Sequence, residues 1–151
     1  MDDDKMLPSS NESKYSLEDI FGFFCLLLLF PAAILAFGEY RDIIDYFEYG
    51  GDFNDIISWM LYTVTIFSIL FISGLKFTGN IKSNTVRVGS GIFIILVSTV
   101  NLISRFSDFE EERKNIGFDG SWLDFLYWSR THETLELVFL GIIIGFFILK
   151  K

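Results

Sequence analysis

Few residues of this chain could do chemistry, and the densest group lies near its end. Thr131-His132-Glu133-Thr134-Leu135-Glu136 opens the apolar run that continues to Leu149. His132 and Glu136 are four apart, so on a helix they share one face and could share a metal ion. A helical zinc site of this kind needs a second histidine one turn away, and His132 is the only histidine in the chain. It reads instead as an interfacial polar residue or a modest pH-sensitive group. Glu136 stands just inside the apolar run. A lone carboxylate at the centre of a bilayer costs roughly 3 kcal/mol or more, so Glu136 must reach the headgroups or face a polar partner. Asn101 and Arg105, at the matching depth of an earlier apolar segment, are the candidate partners. Glu136, Asn101, Arg105 and His132 thus form a candidate polar cluster.

Gly141 and Gly145 follow, four apart on one face. Absent side chains let a second helix approach closely, which matters where lipid supplies no hydrophobic force between helices. They are the candidate helix-packing residues, used within the monomer or between copies. Glu136 lies nine residues before Gly145, and at about 100° per residue that is half a turn away. It therefore cannot share the glycine contact.

Other constellations are weaker. Asp42, Asp45, Glu48, Asp52 and Asp55 could gather cations, but they lack the ligand spacing of a calcium-binding loop and read as a solvated helix face. Ser58, Thr65 and Ser68 with Ser98 and Asn101 could line a polar path, although such side chains more often bond back to helix carbonyls or across helices. The aromatic stretch Phe118–Ser129 is not followed by a selectivity sequence presenting carbonyls to an ion. No nucleophile–base pair, phosphate-cradling glycine loop, zinc spacing or cysteine pair is present. The expectation is a non-enzyme with no catalytic residues, no cofactor and no metal.

The elements that position these residues follow from composition. Of 151 residues, 51% are hydrophobic and 18% aromatic, and mean hydropathy is +0.43. The apolar residues are blocked into long runs, which favours membrane spans over a globular core. A net charge of −8 without a basic stripe excludes nucleic acid as a partner. The spacing predicts an all-α polytopic membrane protein: a four-helix bundle with amphipathic helical extensions outside. Spans are expected at about 20–38, 56–75, 88–104 and 134–149, within one membrane domain covering 16–151.

Residues 1–15 read as a flexible polar tail, and Met1–Lys5 resembles a shortened protease tag, which would make Met6 the native start. Ser16 with Asp19 is a capping box opening the first helix. Pro31 removes one helical hydrogen bond and should kink it. Tyr40, Ile43, Ile44 and Phe47 extend that helix as an amphipathic arm, which Gly50-Gly51 ends. Asp52 or Asn54 caps the second helix, and Trp59 and Tyr62 anchor its start at an interface. Lys76–Arg87 is a basic turn. The third span runs on into the charged arm Ser104–Asn115, with Glu110 and Lys114 as a supporting pair. Ser121 with Asp124 is a second capping start, followed by the aromatic cluster Trp122, Phe125, Tyr127 and Trp128. Tyr49-Gly50-Gly51-Asp52 loosely parallels Ile116-Gly117-Phe118-Asp119, better read as repeated hairpin punctuation than as duplication.

Four spans put both termini on the side of the Lys76–Arg87 turn. That side carries seven lysines and arginines against five opposite, and neither the turn nor the C-terminus contains an acid. Positive charge in short loops marks the cytoplasm, so both termini are expected there in a multi-pass protein of the cell membrane. Fourteen acids then lie outside. The expected partners are the lipid bilayer and either a second copy or an unidentified membrane protein. The expected role is a non-catalytic subunit or regulator acting by helix association. The alternative is a small oligomeric ion channel or transporter.

Overall fold

The computed structural model describes residues 16–51, 53–116, 124 and 129–150, and the protein is all-α across them. The N-terminal tail and the cap expected at Asp52 lie outside the described residues. Four helices are described: α1 (Leu17–Glu48), α2 (Phe53–Phe77), α3 (Asn84–Ile116) and α4 (Ser129–Leu149). Three are long and apolar enough to cross a membrane, through Leu17–Glu48, Ile56–Phe77 and Asn84–Glu111. The apolar part of α4, Thr134–Leu149, is shorter.

Local chemistry sets the helix ends. At the start of α1, the Ser16 hydroxyl accepts from the Asp19 backbone N–H at 3.1 Å, and the Asp19 carboxylate accepts from the Ser16 backbone N–H at 3.0 Å. The expected capping box is therefore formed, and it satisfies two otherwise orphaned donors. α1 continues through Pro31 as one helix of 32 residues. It stops before Gly50, whose φ of +98° is a conformation that glycine adopts without steric cost. α2 ends at Phe77, and Gly79 at φ +70° makes the turn into α3. At 1.5 Å per residue, α1 and α3 are each about 50 Å long, well beyond the roughly 30 Å of a bilayer core. The apolar run and the charged arm are thus one continuous helix in each case.

α3 packs along α4 and α1 packs along α2; α2 also meets α3 and, to a lesser extent, α4. α2 is therefore the hub, contacted by all three other helices, whereas α1 lies at the periphery. Only Gly22 and Cys25 of α1 are buried, and Phe23, Phe30, Leu35 and Phe37 are all more than 60% exposed. The apolar core is small: Ile69 of α2, Ile94 of α3 and Ile148 of α4, with Ile72, Leu137 and Ile144 against them.

Glycines set the closest crossings. Between α3 and α4, a Cβ built on Gly145 would stand 2.5 Å from Ile95 Cγ1 and 2.9 Å from the Gly91 carbonyl oxygen. A Cβ on Gly91 would stand 2.9 Å from the Gly145 carbonyl oxygen, so the two backbones touch reciprocally. Gly141 is filled in the same way by Ser98 and Ile69. Between α1 and α2, Gly22 lies against Phe77 and Thr78, and Gly74 lies against Leu26 and the Gly22 carbonyl.

Arg87 closes the far end of α4. Its guanidinium donates to the carbonyls of Leu149 at 3.1 Å and Lys150 at 2.7 Å, and more distantly to that of Ile148. Asn84 Oδ1 accepts a further bond at 2.7 Å. A cation on the last carbonyls of a helix satisfies orphan acceptors and complements the helix dipole. The arms differ from expectation in one ion pair: Glu110 accepts from Arg113 at 3.0 Å, one residue nearer than Lys114.

Candidate functional site

The polar residues that could act together converge on one face of α3. Ser98, Asn101, Arg105 and Asp108 recur at three- and four-residue steps, so they line one stripe. Opposite them stand Ser58 and Thr65 on α2, one face seven residues apart, and Thr134 on α4. Ser58, Thr65, Ser98, Asn101 and Thr134 are at most 3% exposed. Polar side chains this deep need partners, because a buried donor or acceptor left unpaired costs about 1–3 kcal/mol.

Toward the arms the stripe is charged. Ser58 donates to Asp108 Oδ2 at 2.6 Å, with Ser104 Oγ 3.5 Å from the same hydroxyl. Arg105 Nη1 lies 3.5 Å from Asp108 Oδ2, and its Nε donates to Thr134 Oγ1 at 3.2 Å. One arginine thereby ties α3 to α4 while its carboxylate partner ties α3 to α2. Further in, the stripe is neutral. Asn101 Nδ2 donates to Thr65 Oγ1 at 3.3 Å. Thr65 commits its own proton to the Leu61 carbonyl at 2.7 Å, so toward Asn101 it can only accept. That fixes the amide with its nitrogen toward α2 and turns Oδ1 away. Asn101 Oδ1 and Ser98 Oγ are buried with no hydrogen-bond partner among the described residues, and so is Ser73 Oγ nearer the turn end of α2.

Asn101 and Arg105 therefore lie inside the seam between the helices. Glu136 is exposed on α4, while Asn101 and Arg105 bond to Thr65, Thr134 and Asp108. His132 falls within α4, but its side chain lies outside the described residues, as do Ser121, Trp122, Phe125, Tyr127 and Trp128. Gly141 and Gly145 are buried on the face of α4 that meets α3 of the same chain. Ser68 is not part of the seam: it donates to the Val64 carbonyl at 2.6 Å. It lines an outer groove of about 330 Å³ with Leu29, Phe67, Phe71, Ile72 and Phe93.

Sequence reasoning missed Asp108, Thr134 and Gly91. Asp108 looked like one more acid of a solvated arm, yet it sits one turn past Arg105 on the polar stripe. The helical steps from Asn101 through Arg105 to Asp108 were the signal that could have found it. Gly91 could have been found as the mate of Gly145 only with the helix register in hand.

Among the described residues the seam offers hydroxyls, one amide and the Arg105–Asp108 ion pair, a hydrogen-bonding chemistry. No group of three His, Cys, Asp or Glu side chains that could hold a metal occurs among the described residues. No family model, curated protein or solved structure matches this chain.

Proposed function

We propose that the chain is a four-span integral membrane protein of the cell membrane with both termini in the cytoplasm. It works without catalysis, as a subunit or regulator of a membrane complex, through helix–helix association. What carries this proposal is α1: a helix of 32 residues that buries only Gly22 and Cys25 against its own chain. Its uncharged stretch from Ile20 to Phe37 is apolar all round, and an apolar surface so little covered must meet lipid or another protein. Its outer surface, rich in phenylalanine, is open to a second copy or to a membrane partner. The arms of α1 and α3 carry the acidic charge beyond the bilayer. The shorter apolar part of α4 crosses with the help of its polar N-terminal turn and local thinning of the bilayer.

The second proposal, a small oligomeric channel or transporter, is favoured by one observation: the unpartnered oxygens of Ser98 and Asn101 in the seam. Flux assays on purified protein in liposomes separate the two. An association subunit leaves ion flux at the level of empty liposomes. Reproducible flux that disappears with Asn101→Leu would replace the subunit with the channel.

A further inference from the structure

The two hairpins make the same contacts. In α1–α2, Gly74 packs on Leu26 and on the Gly22 carbonyl; in α3–α4, Gly145 packs on Ile95 and on the Gly91 carbonyl. Gly22 is closed by Thr78 at the end of α2, and Gly91 by Leu149 at the end of α4. The register that sets Gly22 on Gly91 and Leu26 on Ile95 also sets Phe24 on Phe93, Asp55 on Asp124, Trp59 on Trp128 and Thr65 on Thr134. Two residues are inserted before Gly145. Thr65 and Thr134 do matching work, since each hydroxyl accepts a bond from an α3 side chain, Asn101 or Arg105. The chain is thus two like hairpins running in the same direction. The polar seam lies where α2 of the first hairpin meets α3 and α4 of the second. In membrane proteins built from parallel repeats, the boundary between repeats near mid-bilayer is where solutes bind.

We propose that this boundary is a hydrated site, in which water bridges Asn101 Oδ1 and Ser98 Oγ. The proposal rests on the membrane-spanning arrangement above and goes beyond it by naming a ligand. Both oxygens are fully buried and unpartnered among the described residues, and they stand one turn apart on one face of α3. Asn101 Oδ1 can only accept, so its ligand must donate; the serine hydroxyl can do either. Water meets both demands and bridges polar groups of this kind inside proteins. A metal cation does not fit: hard cations take six or more oxygen ligands, and the carboxylate on the same stripe, Asp108, is engaged by Ser58 and Arg105. Thr65 and Asn101 close the site on the α2 side, and Ile69 and Gly141 bound it beyond Ser98.

The test is water-edited solid-state NMR on the full chain in phosphatidylcholine liposomes, with labelled asparagine, isoleucine and threonine. Magnetisation from water should reach the Asn101 side chain several-fold faster than Ile94, which is equally buried on the same helix. Asn101→Leu should slow transfer to Thr65 several-fold while helix content stays unchanged. Ser98→Ala, a smaller change, should slow transfer to Asn101. Asn101 building up as slowly as Ile94 in the unaltered protein overturns the site. The same samples report transfer from lipid acyl protons to Ile103 and Ile143, exposed on α3 and α4. Its absence would overturn the membrane-spanning arrangement itself, which a dry Asn101 alone would leave standing.

Discussion

Gly145 and Glu136 lie on one helix and behave as opposites. A side chain at Gly145 would begin 2.5 Å from Ile95 Cγ1 and 2.9 Å from the backbone oxygen of Gly91. Ile95 can shift, but the backbone cannot move without parting α3 from α4. Gly145→Leu is expected to destabilise the fold by about 3 kcal/mol, the upper end for overpacking a close contact, measured by unfolding in mixed micelles. Glu136 is exposed, so Glu136→Gln should leave the same unfolding curve unchanged. Arg87 makes a third case. Removing its guanidinium with Arg87→Ala should cost about 1 kcal/mol, in the range of a cation at a helix C-terminus. Hydrogen exchange should rise in the last turn of α4 and nowhere in α1. The glycine pair on α4 was legible in the sequence because four-residue spacing on a helix is fixed by geometry. The roles of Arg87 and Asp108 were not. Each sits among charges that look alike in one dimension, and only the neighbouring helix decides which one is used.

Among the elements, α1 and α3 illustrate what periodicity can and cannot convey. That the apolar runs continue as charged helical arms follows from the spacing of Tyr40, Ile43, Ile44 and Phe47 in the first and from the charged stretch Ser104–Asn115 in the second, and the structure has both as unbroken helices. Which helix would be the hub was hidden. Gly141 and Gly145 mark a contact face on α4, but α2 is the helix that meets all others. The glycine breaks read as repeated hairpin punctuation, and the glycine contacts suggest a parallel in a different register. Matching Gly50-Gly51 to Gly117 obscured the alignment of Trp59 with Trp128 and Thr65 with Thr134. The contacts of Gly22 and Gly91 are the basis for this alignment. A consequence is that the hairpins should respond separately. Gly22→Leu forces a side chain onto the Thr78 backbone nitrogen, 2.8 Å from the Cβ position. Spin labels at Leu35 and Met60, both exposed on α1 and α2, should move apart in that variant. Labels at Ile103 and Phe139, exposed on α3 and α4, should keep their separation. Equal displacement of both pairs would mean that α1 and α2 are not an independent unit.

At the scale of the whole molecule, charge and exposure describe a protein whose outer surface is apolar and whose inner seam is polar. Lys76, Lys82, Arg87 and Lys150 gather at the end where α2 turns into α3 and α4 finishes, while Glu110, Glu111, Asp42 and Asp45 belong to the arms at the other end. This asymmetry is the basis for proposing that the termini are cytoplasmic. Ser83 lies exposed in the turn between α2 and α3. In a Cys25→Ser background, Ser83→Cys should react with an impermeant thiol reagent only after the cytoplasmic face is opened. Labelling of intact cells would invert the topology. Fold class and membrane character were legible because blocks of apolar residues leave few alternatives. Partnership was not, because a phenylalanine facing lipid and one facing another helix are the same letter. The proposed association depends above all on that uncovered surface of α1. Native mass spectrometry of the protein released directly from its membranes detects a partner whatever its identity. A defined complex is expected, either a fixed number of copies or a second membrane protein at fixed stoichiometry. A chain that emerges alone, carrying only lipid, would contradict association as its mode of action.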